Sequence, residues 1–211
     1  MMIHDAMRPF LENSGYSQDR LVTIRNPFRI LSDTRIRVED NSDIFFIGRV
    51  EEEKGIEDLA VASRLAGVRL RVIGHGPLSD RLEREYPEID WLGWRKPSEI
   101  SELVRSARCT VLPSRYPEPF GLVALEALTS GIPVLFSKDA FLAKEANAAG
   151  YAFSTNTRDH QELAGALRRI ATMPKLELQA MSELAFAQSS QLATTPEQWT
   201  DALLSEYLAV I

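Results

Sequence analysis

The sequence predicts a single doubly wound α/β domain of the Rossmann-like type, built on a parallel sheet. Short apolar runs rich in β-branched and aromatic residues alternate along the chain with stretches whose apolar residues recur every three or four positions. The runs are typical of strands buried on both faces, and the stretches are typical of amphipathic helices. Their alternation favours one parallel sheet that helices cover on both sides.

Six runs are predicted to be strands: residues 21–24, 44–47, 68–73, 90–92, 110–112 and 134–136. Helix boundaries are marked by Pro97, which suits a first helical position, and by Gly131, which suits a helix end. From Lys175 onward the pattern is helical, and Thr195 followed by a proline opens a last helix. The chain is therefore predicted to end in a helical tail.

Composition and charge describe a globular chain and argue against nucleic acid as a partner. The 211 residues are 45% hydrophobic and 26% charged, which supplies enough apolar material for a full core. The formal net charge is −6, whereas nucleic-acid binding needs a basic face. The single cysteine, Cys109, is predicted to be a buried strand thiol. The predicted compartment is the cytoplasm, with the inner face of the membrane as a second candidate location.

Residues 113–127 carry the most specific chemical pattern. Glu118 stands between prolines, and Gly121 and Leu122 begin a predicted helix that carries Glu126 eight residues after the first glutamate. Backbone N–H groups at the positive end of a helix form a ready anion site. A phosphate held there, flanked by two carboxylates that accept from hydroxyls, describes a sugar nucleotide.

Glu126 is predicted to have a partner. It lies in a helix rich in alanine and leucine, where an unpaired carboxylate is costly. The vicinal hydroxyls of a ribose would serve, and the alternative is an ordinary buried or surface glutamate. Pro117 and Pro119 hold Glu118 in a stiff segment, which a positioned polar group requires.

The loop of residues 48–55 directly follows a predicted strand. In open α/β sheets, ligands bind outside the carboxyl ends of the strands. Arg49 and Lys54 are therefore candidates to hold one diphosphate, the first as a planar fork and the second as a point charge. The alternative is a surface loop whose basic residues balance the acidic residues 51–53.

Two further strand ends carry weaker patterns. Gly74 and Gly76 allow close approach of the backbone to a ligand, or they form only a tight turn. Trp94 and Arg95 follow the run 90–92 and are candidate rim contacts to a nucleobase, through side chains or backbone. By contrast, the sequence shows no Cys/His cluster with metal-ligand spacing, no Asp-x-Asp pair, no Walker-type loop and no nucleophile elbow. These absences exclude a zinc site, an NTPase and a hydrolase.

Taken together in this order, the motifs resemble the nucleotide-sugar-binding, C-terminal half of retaining glycosyltransferases of family 4, the group 1 transferases of the GT-B fold. The resemblance covers roughly residues 26–211. Its most specific part is the Glu-x7-Glu element from Glu118 to Glu126, and the loops 48–55 and 74–77 support it in the right order. It implies glycosyl transfer from a UDP-, GDP- or ADP-linked sugar, typically in polysaccharide biosynthesis.

The resemblance implies catalytic roles for Arg49, Lys54 and Glu118. It implies donor binding by Gly48, Gly74, Gly76, Trp94, Arg95, Phe120, Gly121, Leu122 and Glu126. The two cations and the helix amides would stabilise the diphosphate as a leaving group. Glu126 would accept from the ribose, and Glu118 would lie close to the donor sugar beside Phe120. No metal ion and no cofactor other than the donor are expected.

The resemblance also divides the chain. Residues 1–25 are expected to be the helix and linker of an otherwise missing acceptor domain, residues 26–190 the nucleotide-sugar-binding domain, and residues 191–211 a crossing helix. A separate acceptor-binding chain or a second copy would then cover that helix. The isolated chain is expected to transfer poorly or not at all. The alternatives are a truncated, non-catalytic nucleotide-sugar-binding module, and a phosphorylase or epimerase of the same architecture.

Overall fold

The computed structural model describes residues 1–210. Within them, six strands form one sheet, and the predicted parallel arrangement is confirmed. They are β1 (Asp43–Ile47), β2 (Leu70–Ile73), β3 (Asp90–Gly93), β4 (Ala107–Leu112), β5 (Val134–Ser137) and β6 (Ala152–Thr155). Their spatial order is β3-β2-β1-β4-β5-β6. The chain therefore builds one half of the sheet outward from β1 and the other half outward from β4.

The pairing of β1 with β4 at the centre of the sheet creates a crevice. In this parallel pair, Ile44 lies opposite Cys109 and Phe45 lies opposite Thr110. The connections that follow the two strands lead to opposite halves of the sheet, so their loops diverge. Ligands of open α/β sheets bind in such a crevice, at the carboxyl ends of the strands.

The described residues contain nine α-helices. They are α1 (Arg8–Asn13), α2 (Ile56–Ala66), α3 (Ser79–Glu85), α4 (Pro97–Leu103), α5 (Leu122–Thr129), α6 (Phe141–Ala148), α7 (His160–Thr172), α8 (Lys175–Gln188) and α9 (Pro196–Val210). Pro97 is the first residue of α4, and Gly131 follows α5 with a φ of +79°. The helix boundaries predicted at these two residues are confirmed.

Helices cover both faces of the sheet. Successive residues of a strand point to opposite faces, and β1 shows the consequence. Ile44 and Phe46 belong to the core formed with α2, α3 and α7, whereas Phe45 belongs to the core formed with α5, α6 and α8. All three side chains are at most 2% exposed. The predicted double burial of the central strands is therefore confirmed.

Two strand assignments differ from the structure. The prediction of a strand at residues 21–24 is wrong, because Thr23 makes only an isolated bridge to Met2, outside the sheet. Leu21 and Ile24 are buried against other residues, so burial without sheet pairing explains this apolar run. The sequence also does not reveal β6. Phe153 is the one large apolar residue of this edge strand, and all four residues are half-buried.

The chain ends in the helices α8 and α9, as predicted. On α9, Tyr207 and Leu208 are exposed, whereas Trp199 and Leu203 are half-buried. No helix among residues 1–210 is both long and apolar enough to cross a membrane. The division of the chain after residues 25 and 190 stays a prediction.

Glycines let the loops that follow β1 and β2 pack backbone against backbone. A Cβ atom on Gly74 would lie 1.8 Å from the carbonyl oxygen of Gly48, and one on Gly76 would lie 2.4 Å from that of Val50. No side chain fits at such distances. Contact between loops thus accounts for both glycines, independently of any ligand.

We expect Gly74→Ala to destabilise the protein by more than about 2 kcal/mol, because the new methyl group overlaps a carbonyl and the residue has a φ of +144°. Thermal unfolding would show this as a fall in Tm of several degrees. The control is Gly67→Ala, which also has a positive φ, of +68°, but nothing within 4 Å of the new Cβ atom. It should cost only about 1 kcal/mol. Equal losses in the two variants would contradict the close loop packing.

Candidate functional site

A cavity of about 310 Å³ lies at the carboxyl ends of β1 and β4. Six of the residues predicted from the sequence line it: Gly48, Lys54, Glu118, Phe120, Gly121 and Leu122. They come from two loops that are far apart in the sequence, one after β1 and one after β4. The position agrees with the crevice that the strand order creates.

A second recess of about 250 Å³ adjoins this cavity and shares Ile47 and Gly48 with it. Four more predicted residues line the recess: Arg49, Gly74, Trp94 and Arg95. Trp94 is 68% exposed, so most of this residue is open to solvent. Two predicted residues, Gly76 and Glu126, line neither space.

The two predicted cations point into different spaces. Lys54 lines the main cavity, whereas Arg49 lines the second recess, is 75% exposed and forms an ion pair with Glu51 at 2.8 Å. Gly48 borders both spaces. The structure thus places both cations at the crevice without bringing their charged groups to one point.

Lys54 and Glu118 form the polar centre of the main cavity. The Lys54 Nζ donates to the Glu118 Oε2 at 2.9 Å and also contacts the Tyr116 hydroxyl. The same Glu118 oxygen accepts from the Tyr116 hydroxyl at 2.5 Å and from the Ser114 hydroxyl at 3.1 Å. The sequence pattern does not single out Ser114 or Tyr116, because their roles arise only when the loop folds back onto Glu118.

The surroundings keep this pair charged. Burial disfavours the ionised carboxylate of Glu118, but hydrogen bonds from Tyr116 and Lys54 outweigh it and lower the pKa of Glu118. Burial likewise disfavours the ammonium of Lys54, yet hydrogen bonds to Tyr116 and Glu118 raise its pKa. Lys54 therefore remains a cation and Glu118 an anion at neutral pH.

The N-terminus of α5 opens onto the same cavity. Gly121 precedes the helix in the left-handed region, with a φ of +67°, and no side chain caps the helix there. Within residues 1–210 the amides of Gly121, Leu122 and Val123 have no hydrogen-bond acceptor, and all three residues line the cavity. Free amides at the positive end of a helix attract an anion.

Glu126 lies one turn beyond Leu122 on α5 and is half-buried. Its carboxylate forms no ion pair at 4 Å or less with any residue of the described chain. Burial raises the pKa of Glu126, and the distant charge of Arg29 opposes this only in part. Among residues 1–210 there is thus no ion-pair partner for the carboxylate that the sequence predicts to need one.

The arrangement can bind an anion and hold a polar ligand beside it. In the part of the chain that the structure describes, no group of three or more His, Cys, Asp or Glu residues is arranged to hold a metal ion. Independence from metal stays a prediction. The strand order, the crevice and the open helix terminus define a doubly wound α/β protein with a candidate phosphate site.

The comparisons with known proteins show the family. The chain belongs to the Glycosyl transferases group 1 family, whose model matches residues 31–185. Glycogen synthase of Mycobacterium tuberculosis is 33% identical over 144 residues, which are 63% of this chain and 34% of that protein. The chain therefore spans about a third of the length of this relative. Membership of the group 1 transferases, predicted from the motifs, is confirmed.

Solved structures show the same fold. Sucrose-phosphate synthase of Thermosynechococcus elongatus matches 99% of this chain and 57% of its own, with a TM-score of 0.82 and 21% identity. The Anabaena protein HepE, solved with UDP and glucose, matches 100% of this chain and 62% of its own, with a TM-score of 0.80 and 22% identity. The predicted fold class is confirmed, whereas the narrower assignments to family 4 and to a C-terminal half stay predictions.

The two glutamates should affect stability at pH 7 with opposite signs. Glu126→Gln should raise Tm, because its raised pKa makes ionisation cost folding energy above the folded pKa. The gain should shrink as the pH falls toward about 4.3, where the unfolded chain also binds the proton. Glu118→Gln should lower Tm, because a carboxyl group with a lowered pKa stabilises the fold above about pH 4.3. The fall in Tm should become smaller below that pH.

Thermal unfolding of both variants and the parent chain between pH 3.5 and 7.5 measures these effects. The two variants act as controls for each other, since each replaces a half-buried glutamate by its neutral isostere. A Glu126→Gln variant that is less stable than the parent at pH 7 would mean that the carboxylate has a stabilising partner.

Proposed function

We propose that this chain binds a nucleoside diphosphate sugar and supplies the donor site of a retaining glycosyltransferase. The observation that carries the proposal is the open N-terminus of α5, which faces the same cavity as the Lys54–Glu118 pair. Anion-binding amides and a cation on one side, with a carboxylate on the other, suit a phosphate linked to a sugar. Family membership supports the same function.

In this proposal the diphosphate lies against the amides of Gly121 and Leu122. Lys54 and Arg49 approach it from the loop after β1, and Lys54 then shares its ammonium between Glu118 and a phosphoryl oxygen. These groups stabilise the negative charge that grows on the diphosphate as its bond to the sugar breaks. No metal ion is needed in this scheme, because the cations and the helix terminus provide the neutralising charge.

The nucleoside is proposed to extend from the diphosphate along the crevice. Trp94 and Arg95 border the second recess and would contact the base. Glu126 lies on the face of α5 that carries Leu122, since residues four apart share a helix face, and its unpaired carboxylate would accept from the ribose hydroxyls. The UDP in the HepE structure supports a nucleoside diphosphate in this position, with UDP, GDP and ADP all as candidates.

The sugar is proposed to lie beside Glu118 and Phe120. The acceptor hydroxyl would form its bond to the anomeric carbon on the face from which the diphosphate departs, and would pass its proton to the departing phosphoryl oxygen, so that the configuration is retained. Retention rests on the Glu-x7-Glu resemblance, and the anomeric NMR signal of the first product tests it. A product of inverted anomeric configuration would contradict retention and leave the proposed donor binding intact.

We expect Arg49→Ala to weaken the binding of the preferred donor about ten- to a hundredfold, because it loses one charge-assisted contact to phosphate. Calorimetry with UDP-, GDP- and ADP-sugars identifies that donor and gives its affinity for the parent chain and for the variant. Repeating the titrations with EDTA tests whether binding depends on a metal ion. The matched control is Arg37→Ala, which removes an arginine of similar exposure, 72% against 75%, that lines neither space.

Unchanged donor affinity in Arg49→Ala would reject the role of Arg49. Failure of the parent chain to bind any of the three donor classes would reject the donor site as a whole. A chain that binds a donor but does not hydrolyse or transfer its sugar would favour a nucleotide-sugar-binding module over an enzyme.

Glu126→Gln should reduce affinity for a ribonucleotide more than affinity for its 2′-deoxy analogue, by about tenfold, since the carboxylate would accept from the 2′-hydroxyl. Calorimetry with UDP and 2′-deoxy-UDP on parent and variant gives the four affinities that this comparison needs. Equal losses for the two ligands would remove the ribose role from Glu126.

A further inference from the structure

A second ionic cluster lies directly behind the candidate site. Asp58, in the first turn of α2, has a side chain that is 6% exposed. Its two oxygens accept from the Arg115 guanidinium, at 2.7 Å from Nε and 3.0 Å from Nη2. His160, the first residue of α7, contacts the same carboxylate at 2.9 Å. None of these residues lines the cavity or the adjoining recess.

The backbone of Arg115 is fixed as firmly as its side chain. Its amide donates to the carbonyl of Glu53 at 2.8 Å, and its carbonyl accepts from the Arg158 guanidinium. Glu53 belongs to the short 3-10 turn Glu52–Lys54, so this bond ties the loop after β4 to the turn that carries Lys54. Arg115 itself stands three positions before Glu118.

The start of the same loop is held from two sides. A Cβ atom on Gly55 would lie 2.1 Å from the carbonyl oxygen of Pro113, so α2 begins in backbone contact with the loop. The hydroxyl of Thr157, which is 1% exposed, donates to the same carbonyl at 3.3 Å. Residues 113–115 are therefore anchored both to α2 and to the segment before α7.

We infer that Arg115 and Asp58 are positioning residues that hold the side chains of Lys54 and Glu118 at a fixed position relative to each other. We call this relative position their register. A planar guanidinium bonded through two nitrogens to a buried carboxylate fixes direction as well as distance. Through its amide, Arg115 fixes the position of the turn that ends at Lys54. Through the three following peptide units, it fixes the position of Glu118. The importance of this register for catalysis rests on the proposed function, whereas the register itself does not.

The electrostatics agree with this geometry. Burial disfavours the ionised form of Asp58, but hydrogen bonds from Arg115 and His160 outweigh it and lower the pKa of Asp58. The carboxylate is thus charged at neutral pH and keeps its hold on the guanidinium. Glu52, at 3.0 Å from the Arg115 Nη1, adds a contact at the exposed end.

The test measures the pKa of Glu118 by the pH dependence of its side-chain carboxyl 13C resonance, assigned with Glu118→Gln. In Asp58→Asn and Arg115→Lys the Lys54–Glu118 contact should loosen, so the pKa of Glu118 should move up toward the value of about 4.3 in a free chain. Arg115→Lys keeps the charge and the backbone amide, so it reports on the geometry in a protein with little other change. UDP affinity should fall about tenfold in both variants.

The matched control is Glu39→Gln. Glu39 accepts from the Arg35 guanidinium through both oxygens, at 2.8 Å and 2.9 Å, and its side chain is 4% exposed. This pair lines neither space of the candidate site. The control should lower Tm, as loss of any buried ion-pair partner does, and leave both the Glu118 resonance and UDP affinity unchanged.

Two outcomes overturn the inference. If Asp58→Asn and Arg115→Lys lower Tm while the pKa of Glu118 stays at its parent value, the cluster supports only the fold. If Glu39→Gln shifts that pKa equally, the effect is general loosening. Failure of the parent chain to bind any UDP-, GDP- or ADP-sugar would instead reject the proposed function, and the NMR titration would still decide whether Arg115 and Asp58 set the register.

Discussion

The parallel pairing of β1 with β4 is the constraint on which the rest of this structure depends. It places two loops side by side whose key residues, Lys54 and Glu118, are 64 positions apart in the sequence but 2.9 Å apart in space. Because the chain leaves the two strands toward opposite halves of the sheet, the loops diverge above their first contact and leave a cavity. Both the fold and the candidate site follow from this one adjacency.

The candidate site combines charges of both signs in a molecule that is acidic overall. The chain has a formal net charge of −6, yet the cavity collects a lysine and an open helix terminus. Without a ligand, Glu118 balances Lys54, whereas the half-buried carboxylate of Glu126 has no ion-pair partner in the described chain. A buried carboxylate without such a partner is unfavourable and reduces stability.

The placement of candidate residues around one cavity was predictable where it depends on strand ends. Gly48, Lys54, Glu118 and Gly121 line one cavity because glycine-rich and polar segments directly follow buried apolar runs. Other features could not be predicted from the sequence, since they depend on which loops contact each other. The separation of Arg49 from Lys54 and the hydrogen bonds of Tyr116 to the ion pair belong to this second kind. The sequence did not predict edge strand β6, because its residues are only half-buried and the strand therefore carries a weak apolar pattern.

By itself, the sequence determined the fold class, the helical tail and the family, because alternation of buried strands with amphipathic helices and short motifs are local properties of the chain. Only the tertiary structure decided that Gly74 serves loop packing, that residues 21–24 stay outside the sheet, and that Arg115 joins the loops after β1 and β4. These are contacts between distant segments, and their geometry exists only once the parallel sheet has brought those segments together.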